Sequence, residues 1–134
     1  APLGEDEVLI RVEATPVNPS DLGLLFGPAD VATARSEGGA LVVDVPEKLR
    51  RAVAARVDQP MPVGNEGAGT VIAAGASAAA QALIGRTVAT FGGALYRSYR
   101  VARATDVLVL PEGASAREGA SLTVNPLTAM AMVG

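Results

Sequence analysis

Pro62-Val63-Gly64-Asn65-Glu66-Gly67-Ala68-Gly69-Thr70-Val71 is the stretch on which the reading of this chain turns. Three glycines at short intervals bracket one carboxamide and one carboxylate, and an apolar run over residues 70–73 follows at once. Glycine has no Cβ, so backbone or ligand can approach closely there. The pattern predicts a tight turn and then a strand from Thr70, with Asn65 and Glu66 at its entrance. Two polar side chains at the lip of a sheet are where a site can be built; the plainer reading is a turn alone. Glu66, between glycines, reads as a partly buried structural carboxylate paired with an arginine or with backbone amides. Gly67 and Gly69 are structural positions beside it.

Upstream, Val8, Ile10, Val12 and Ala14 alternate with Leu9, Arg11, Glu13 and Thr15, the period of a half-buried strand. Pro16 and Pro19 close it, and Ser20-Asp21 is expected to cap a short helical turn carrying Leu22, Leu24 and Leu25. Asn18 and Asp21 stand three residues apart where strand gives way to turn. Their plainest role is to satisfy local backbone groups. Residues 27–39 read as a loop and 41–45 as an edge hairpin or flap. Pro46-Glu47 opens an amphipathic helix with Leu49, Val53 and Val57 on one face and Arg50, Arg51 and Arg56 in solvent.

Downstream, residues 74–82 are a low-complexity connector, and strands are expected near 87–91, 95–102 and 107–110. Short strands joined by Gly- and Pro-bearing turns predict a mainly β domain with short helices, a rolled sheet or partly open barrel. Ser115-x-x-Glu118 is a capping box opening a helix through Leu122. Asn125-Pro126 then starts a second helix, with Asn125 as its cap and Met130 and Met132 along it.

The chain has 134 residues with 49 % apolar side chains and a net charge of −3. Acidic and basic residues are interspersed, which excludes the concentrated basic surface of a nucleic-acid footprint. There is no cysteine and no histidine. These residues therefore form no disulfide, hold no zinc through Cys or His, and offer no histidine base or cysteine nucleophile. No 18-residue apolar run predicts a membrane span, and the first residues lack the features of a secretory signal. A cytoplasmic location is the expectation by elimination.

The polar candidates are thus Asn18, Asp21, Asn65, Glu66, Asn125, Thr128, Tyr96 and Tyr99. Asp21 and Glu66 as a hydrolytic pair, or as ligands of a divalent cation, would have to lie close together. Either tyrosine is a proton donor or, more simply on a strand, a core or interface residue. Gly64-x-x-Gly67-x-Gly69 has the wrong spacing for a dinucleotide fingerprint and precedes a strand, where the fingerprint follows one.

Five segments carry a resemblance: VLIRVEATPVNPSDL at 8–22, GNEGAGTV at 64–71, LIGRTVATFGG at 83–93, YRSYRVARATDVLVLPEG at 96–113 and ASLTVNPLTAMAM at 120–132. In this order and spacing the chain resembles the N-terminal, GroES-like catalytic domain of the medium-chain dehydrogenase/reductase superfamily. The likeness is to its zinc-independent quinone oxidoreductases and 2-enoyl thioester reductases. It implies a catalytic domain over 1–119, incomplete as it stands, and a linking helix over 120–134 leading into a nucleotide-binding domain that these residues do not include. In zinc alcohol dehydrogenases a cysteine ligand falls near Asn18 and a histidine ligand at Asn65. Both positions are asparagine here, and the cysteine-rich lobe after Phe91 is missing, so the resemblance implies no zinc.

The same resemblance implies NADPH or NADH as cofactor and a small-molecule quinone or conjugated carbonyl as substrate. It puts Asn18 and Asp21 in the nicotinamide cleft and Asn65 against the substrate, with Asn125 and Thr128 on the cofactor from the linking helix. Enoyl thioester reductases carry a tyrosine just after the position of Gly27, where this chain has Ala29, which favours a quinone or enone. Residues 32–59 are longer than in the simplest relatives and are expected to form a lid or interface. The chain alone is expected to be inactive without the second domain, which would act in cis or in trans, and a homodimer is a further expectation. The alternative is a non-enzymatic GroES-like module that binds a partner.

Overall fold

The computed structural model describes residues 2–133. The chain divides into two compact units, one made of the described residues through Val17 together with those from Gly64 onward, the other of Asn18–Val63.

In the first unit, strands β1 (Glu7–Ala14), β4 (Glu66–Ala74), β5 (Thr87–Phe91), β6 (Tyr99–Arg103) and β7 (Val107–Val109) form one sheet in the order β6-β1-β4-β5-β7. Every pairing in it is antiparallel. The expected mainly β fold with short helices is what forms. The alternation in β1 resolves as anticipated, with Val8 and Ile10 fully buried. Register shifts at Leu9/Ile10 and Val12/Ala14 interrupt the β1–β4 ladder, and irregularities of this kind increase local twist.

The glycine-rich stretch proves to be the middle strand itself and no turn: β4 begins at Glu66, four residues before Thr70, where the strand was expected to start. The run from Gly64 to Gly69, apart from half-buried Asn65, is buried. The reason is close approach to β1. A Cβ on Gly69 would overlap the Arg11 carbonyl oxygen, and one on Gly67 would stand 2.8 Å from Thr15 Cγ2. Val8, Ile10, Val71, Ala80 and Val88 form one apolar cluster, and Ala68, Ala89, Leu110, Ala116 and Ala120 form another. Neighbours along a strand point to opposite faces, so the central strands bury both.

Short helices flank the sheet. The connector at 74–82 contains α2 (Ala78–Gln81), capped by Ser77, with Ala80 fully buried. The capping box forms as read: the Ser115 backbone N–H and hydroxyl both donate to Glu118, at 2.9 and 2.7 Å. Those bonds, the backbone one first, hold the Glu118 carboxyl below its usual range. The helix α3 (Ala116–Gly119) stops short of Leu122, with Gly119 tight against Leu110. The strand expected from Leu95 begins only at Tyr99, because residues 92–98 form bends in which Leu95 is completely buried.

The second unit holds α1 (Pro19–Leu25), the hairpin of β2 (Asp30–Glu37) and β3 (Ala40–Asp44), and a 3-10 segment, Glu47–Arg56. Residues 30–37, read as loop, are therefore a strand. Gly38-Gly39, both at positive φ (56° and 83°), make the two-residue turn joining it to β3. The amphipathic helix over 46–57 winds instead as 3-10 turns that bury nothing. With no partner for a 3.6-period stripe, the tighter winding loses no packing.

Candidate functional site

Glu66 is the most constrained polar side chain of the first unit. It is fully buried, and its Oε2 accepts three hydrogen bonds, from the Thr123 backbone N–H (3.0 Å), the Thr123 hydroxyl (2.6 Å) and the Val124 N–H (2.7 Å). The expectation of a structural carboxylate on backbone amides holds. Those amides open helix α4 (Val124–Val133), where unsatisfied N–H groups and the helix dipole favour a negative charge. The Thr123 carbonyl accepts the first helical bond, from Leu127 N–H at 3.1 Å. Thr123 is therefore the N-cap, and Asn125, expected in that role, lies inside the first turn. Pro126 follows where no N–H is needed.

Asn65 directly precedes Glu66 and is half-buried. Its backbone carbonyl accepts from Gly92 N–H at 3.1 Å. The structure thus joins the carboxamide-bearing end of β4 to the start of α4 through a single carboxylate. Asn125 and Thr128 are exposed along α4, and the Thr128 hydroxyl donates to the Val124 carbonyl at 2.7 Å. That bond occupies its proton and leaves oxygen lone pairs for another donor. Ala89, Phe91, Val107, Leu108, Leu122 and Leu127 line an adjoining apolar groove of about 300 Å³.

In the second unit Asn18 and Asp21 are joined to each other. Asn18, not Ser20, is the N-cap of α1, with Pro19 at its first position. The Asp21 carboxylate accepts from the Asn18 N–H at 2.9 Å. Asn18 is 6 % exposed and Asp21 fully buried, and the pair caps the start of α1, the local role the plain reading anticipated.

The hydrolytic reading fails on Glu66, whose Oε2 is filled by three protein donors. Among the described residues no group of three or more Asp or Glu side chains gathers as a cation site. Tyr96 donates its hydroxyl proton to the Pro16 carbonyl at 3.0 Å, and Tyr99 stands 55 % exposed on β6. Sequence reasoning missed Thr123. The available signal was a threonine three residues ahead of a proline at a helix start.

No helix among the described residues is long and apolar enough to cross a membrane. No curated protein sequence matches the chain. Among solved structures, a protein from Mesorhizobium loti described as an NADPH:quinone reductase is 31 % identical over 96 % of this chain and 32 % of its own, with a TM-score of 0.62. One from Bacillus thuringiensis with the same description is 29 % identical over 98 % of this chain and 33 % of its own, with a TM-score of 0.68. A mycobacterial protein solved with NADPH, at 23 % identity over 97 % of this chain and 32 % of its own, shares the fold with a TM-score of 0.61. The chain spans about a third of the length of these structures. The alcohol dehydrogenase GroES-like domain model matches residues 4–112, so the chain belongs to that family, in keeping with its resemblance to medium-chain dehydrogenase/reductase catalytic domains.

Proposed function

We propose that this chain is the catalytic-domain portion of a zinc-free, NADPH- or NADH-dependent reductase acting on a quinone or a conjugated enone. The observation that carries the reading is the Glu66 link, which ties Asn65 at the start of β4 to the first turn of α4, where Asn125 and then Thr128 follow. The similarity to two proteins described as NADPH:quinone reductases supports the same chemistry.

A bound nicotinamide would supply the hydride. As the β-carbon of the substrate accepts it, negative charge gathers on the carbonyl oxygen, and a preoriented donor stabilises that charge. The Asn65 carboxamide offers such a donor without bringing net charge. Asn125 and Thr128, uncharged and exposed, fit a cofactor contact along α4. The resemblance further assigns Asn18 to the nicotinamide, with Asp21, whose carboxylate accepts from the Asn18 N–H, acting through it. Solvent supplies the proton. Residues 1–119 are the catalytic domain and 120–134 the link to a nucleotide-binding domain. The protein works in the cytoplasm.

The test is oxidation of a dihydronicotinamide with a quinone and with an enone, measured on this chain and on the longest native polypeptide containing it. Turnover by the longer protein, lowered about 10²–10³-fold by Asn65→Ala as for loss of one oxyanion donor, supports the reading. No turnover from either protein favours a non-enzymatic partner-binding module. Turnover indifferent to Asn65→Ala removes that residue from the chemistry.

A further inference from the structure

Residues 92–96 supply none of the roles above, yet they wrap the segment that carries Asn65. The Gly92 and Gly93 N–H groups donate to the Asn65 carbonyl (3.1 and 3.5 Å), and the Leu95 N–H donates to the Gly64 carbonyl at 3.1 Å. To do so the chain runs through three successive positive φ values, 108° at Gly92, 86° at Gly93 and 60° at Ala94. Alanine in that region is strained and persists where its surroundings over-determine it. Here Leu95, fully buried, fixes the far side. Tyr96 then closes over Gly64: a Cβ built on that glycine would lie 2.5 Å from Tyr96 Cδ1. The tyrosine hydroxyl is anchored on the Pro16 carbonyl at 3.0 Å, beyond the end of β1.

We propose that Tyr96 is a positioning residue for Asn65, its ring seated on Gly64 and its hydroxyl tied to Pro16, so that the carboxamide holds one direction. The proposal rests on the reading of Asn65 as the substrate-facing donor. The tyrosine touches no reacting atom. It acts by restricting the backbone on the N-terminal side of Asn65, while the carbonyl bonds from Gly92 and Gly93 restrict the other side. In a reaction that depends on donor direction, displacement by a fraction of a bond length is read in kcat and not in cofactor affinity.

Tyr96→Phe keeps the ring on Gly64 and removes the hydroxyl that is bonded to Pro16. In the longest native polypeptide that turns over, it is expected to lower kcat about tenfold with the dihydronicotinamide KM within about twofold. Asn65→Ala/Tyr96→Phe is then expected to be no slower than Asn65→Ala, since a group acting through Asn65 has nothing left to act on. Where Asn65→Ala itself lowers turnover, additive losses, or an unchanged kcat in Tyr96→Phe, overturn the proposal. On this chain with ¹⁵N-asparagine, Tyr96→Phe is expected to move the Asn65 carboxamide resonances while spectral dispersion is retained; unmoved resonances also overturn it. Moved resonances together with full activity in Asn65→Ala support the clamp and refute the substrate role of Asn65, which separates the two failures.

Discussion

Replacing Glu66 with glutamine is expected to weaken the first unit by about 2 kcal/mol, and replacing it with alanine is expected to detach α4. The carboxylate is fully buried and one oxygen takes three donors between 2.6 and 3.0 Å. Hydrogen bonds to a charged group contribute about 1.5–3 kcal/mol each against about 0.5–1.5 for neutral ones, so neutralising the acceptor forfeits about 1 kcal/mol per bond. Loss of the charge at the helix start forfeits up to about 1 more. Relief of the carboxylate's burial gives part of this back, leaving about 2 out of a total stability of about 5–15 kcal/mol. With a urea m-value of about 1–3 kcal/mol/M the midpoint falls by about 1 M. Alanine removes the acceptor altogether. Helix α4 has ten residues and none is buried, and an isolated helix of that length is marginal in water. Glu66→Ala should therefore release the amide protection of residues 127–133 while the sheet amides stay protected. A Glu66→Gln midpoint within about 0.3 M of the parent, or an α4 still protected in Glu66→Ala, would refute the reasoning.

Gly69→Ala is expected to destabilise by about 3 kcal/mol or more, because its Cβ would meet the backbone carbonyl of Arg11 in the neighbouring strand and no side chain can move aside; urea denaturation checks this, and a loss under about 1 kcal/mol would mean the strands separate easily. Glu13 accepts from Thr70 Oγ1 at 2.8 Å and from Arg11 at 2.9 Å, and these bonds, that from Thr70 first, lower its carboxyl pKa. A carboxyl depressed on folding contributes stability above its unfolded pKa and loses it as pH falls through the folded value. Thr70→Val should thus raise the Glu13 titration midpoint toward the ordinary range. The parent's advantage over the variant should be small at neutral pH and gone below the folded midpoint; equal midpoints by carboxyl-carbon NMR would contradict the bond.

What was legible followed from where each side chain faces. β1 could be read because one face is dry and the other wet, as Val8 and Ile10 against exposed Arg11 and Glu13 record. The 66–69 half of β4 could not, unlike the 70–73 half, since a strand buried on both faces and built of Gly and Ala has no alternation to detect. β2 was invisible for the opposite reason: nearly every residue of Asp30–Glu37 is exposed. Its only trace was the Gly38-Gly39 turn, a hairpin signal in itself. The 3-10 segment was misread because its apolar spacing implies a helix with a surface to cover, and tertiary context supplied none. At the site, the chemistry of Glu66 was legible from its glycine neighbours. Its partner was not, because Thr123 lies 57 residues away and no local rule reaches that far.

That separation explains why a neutral side chain at position 65 can be aimed at all. Asn65 sits at a bend, half-buried, ahead of the β4 ladder, so its backbone needs support from outside the strand. Its next residue is locked by a carboxylate that must point at the start of α4 or be left buried without donors, a penalty of several kcal/mol. Its own carbonyl is held from the other direction by Gly92 and Gly93. Two structural interactions that involve no ligand thus hold the backbone that carries the carboxamide. It follows that loss of Glu66 should impair any chemistry at Asn65 even though Glu66 meets no substrate. Glu66→Gln, which keeps an acceptor oxygen for the Thr123 and Val124 amides, should retain more of that chemistry than Glu66→Ala. Equal activity in the two variants would mean that Asn65 is oriented without the link.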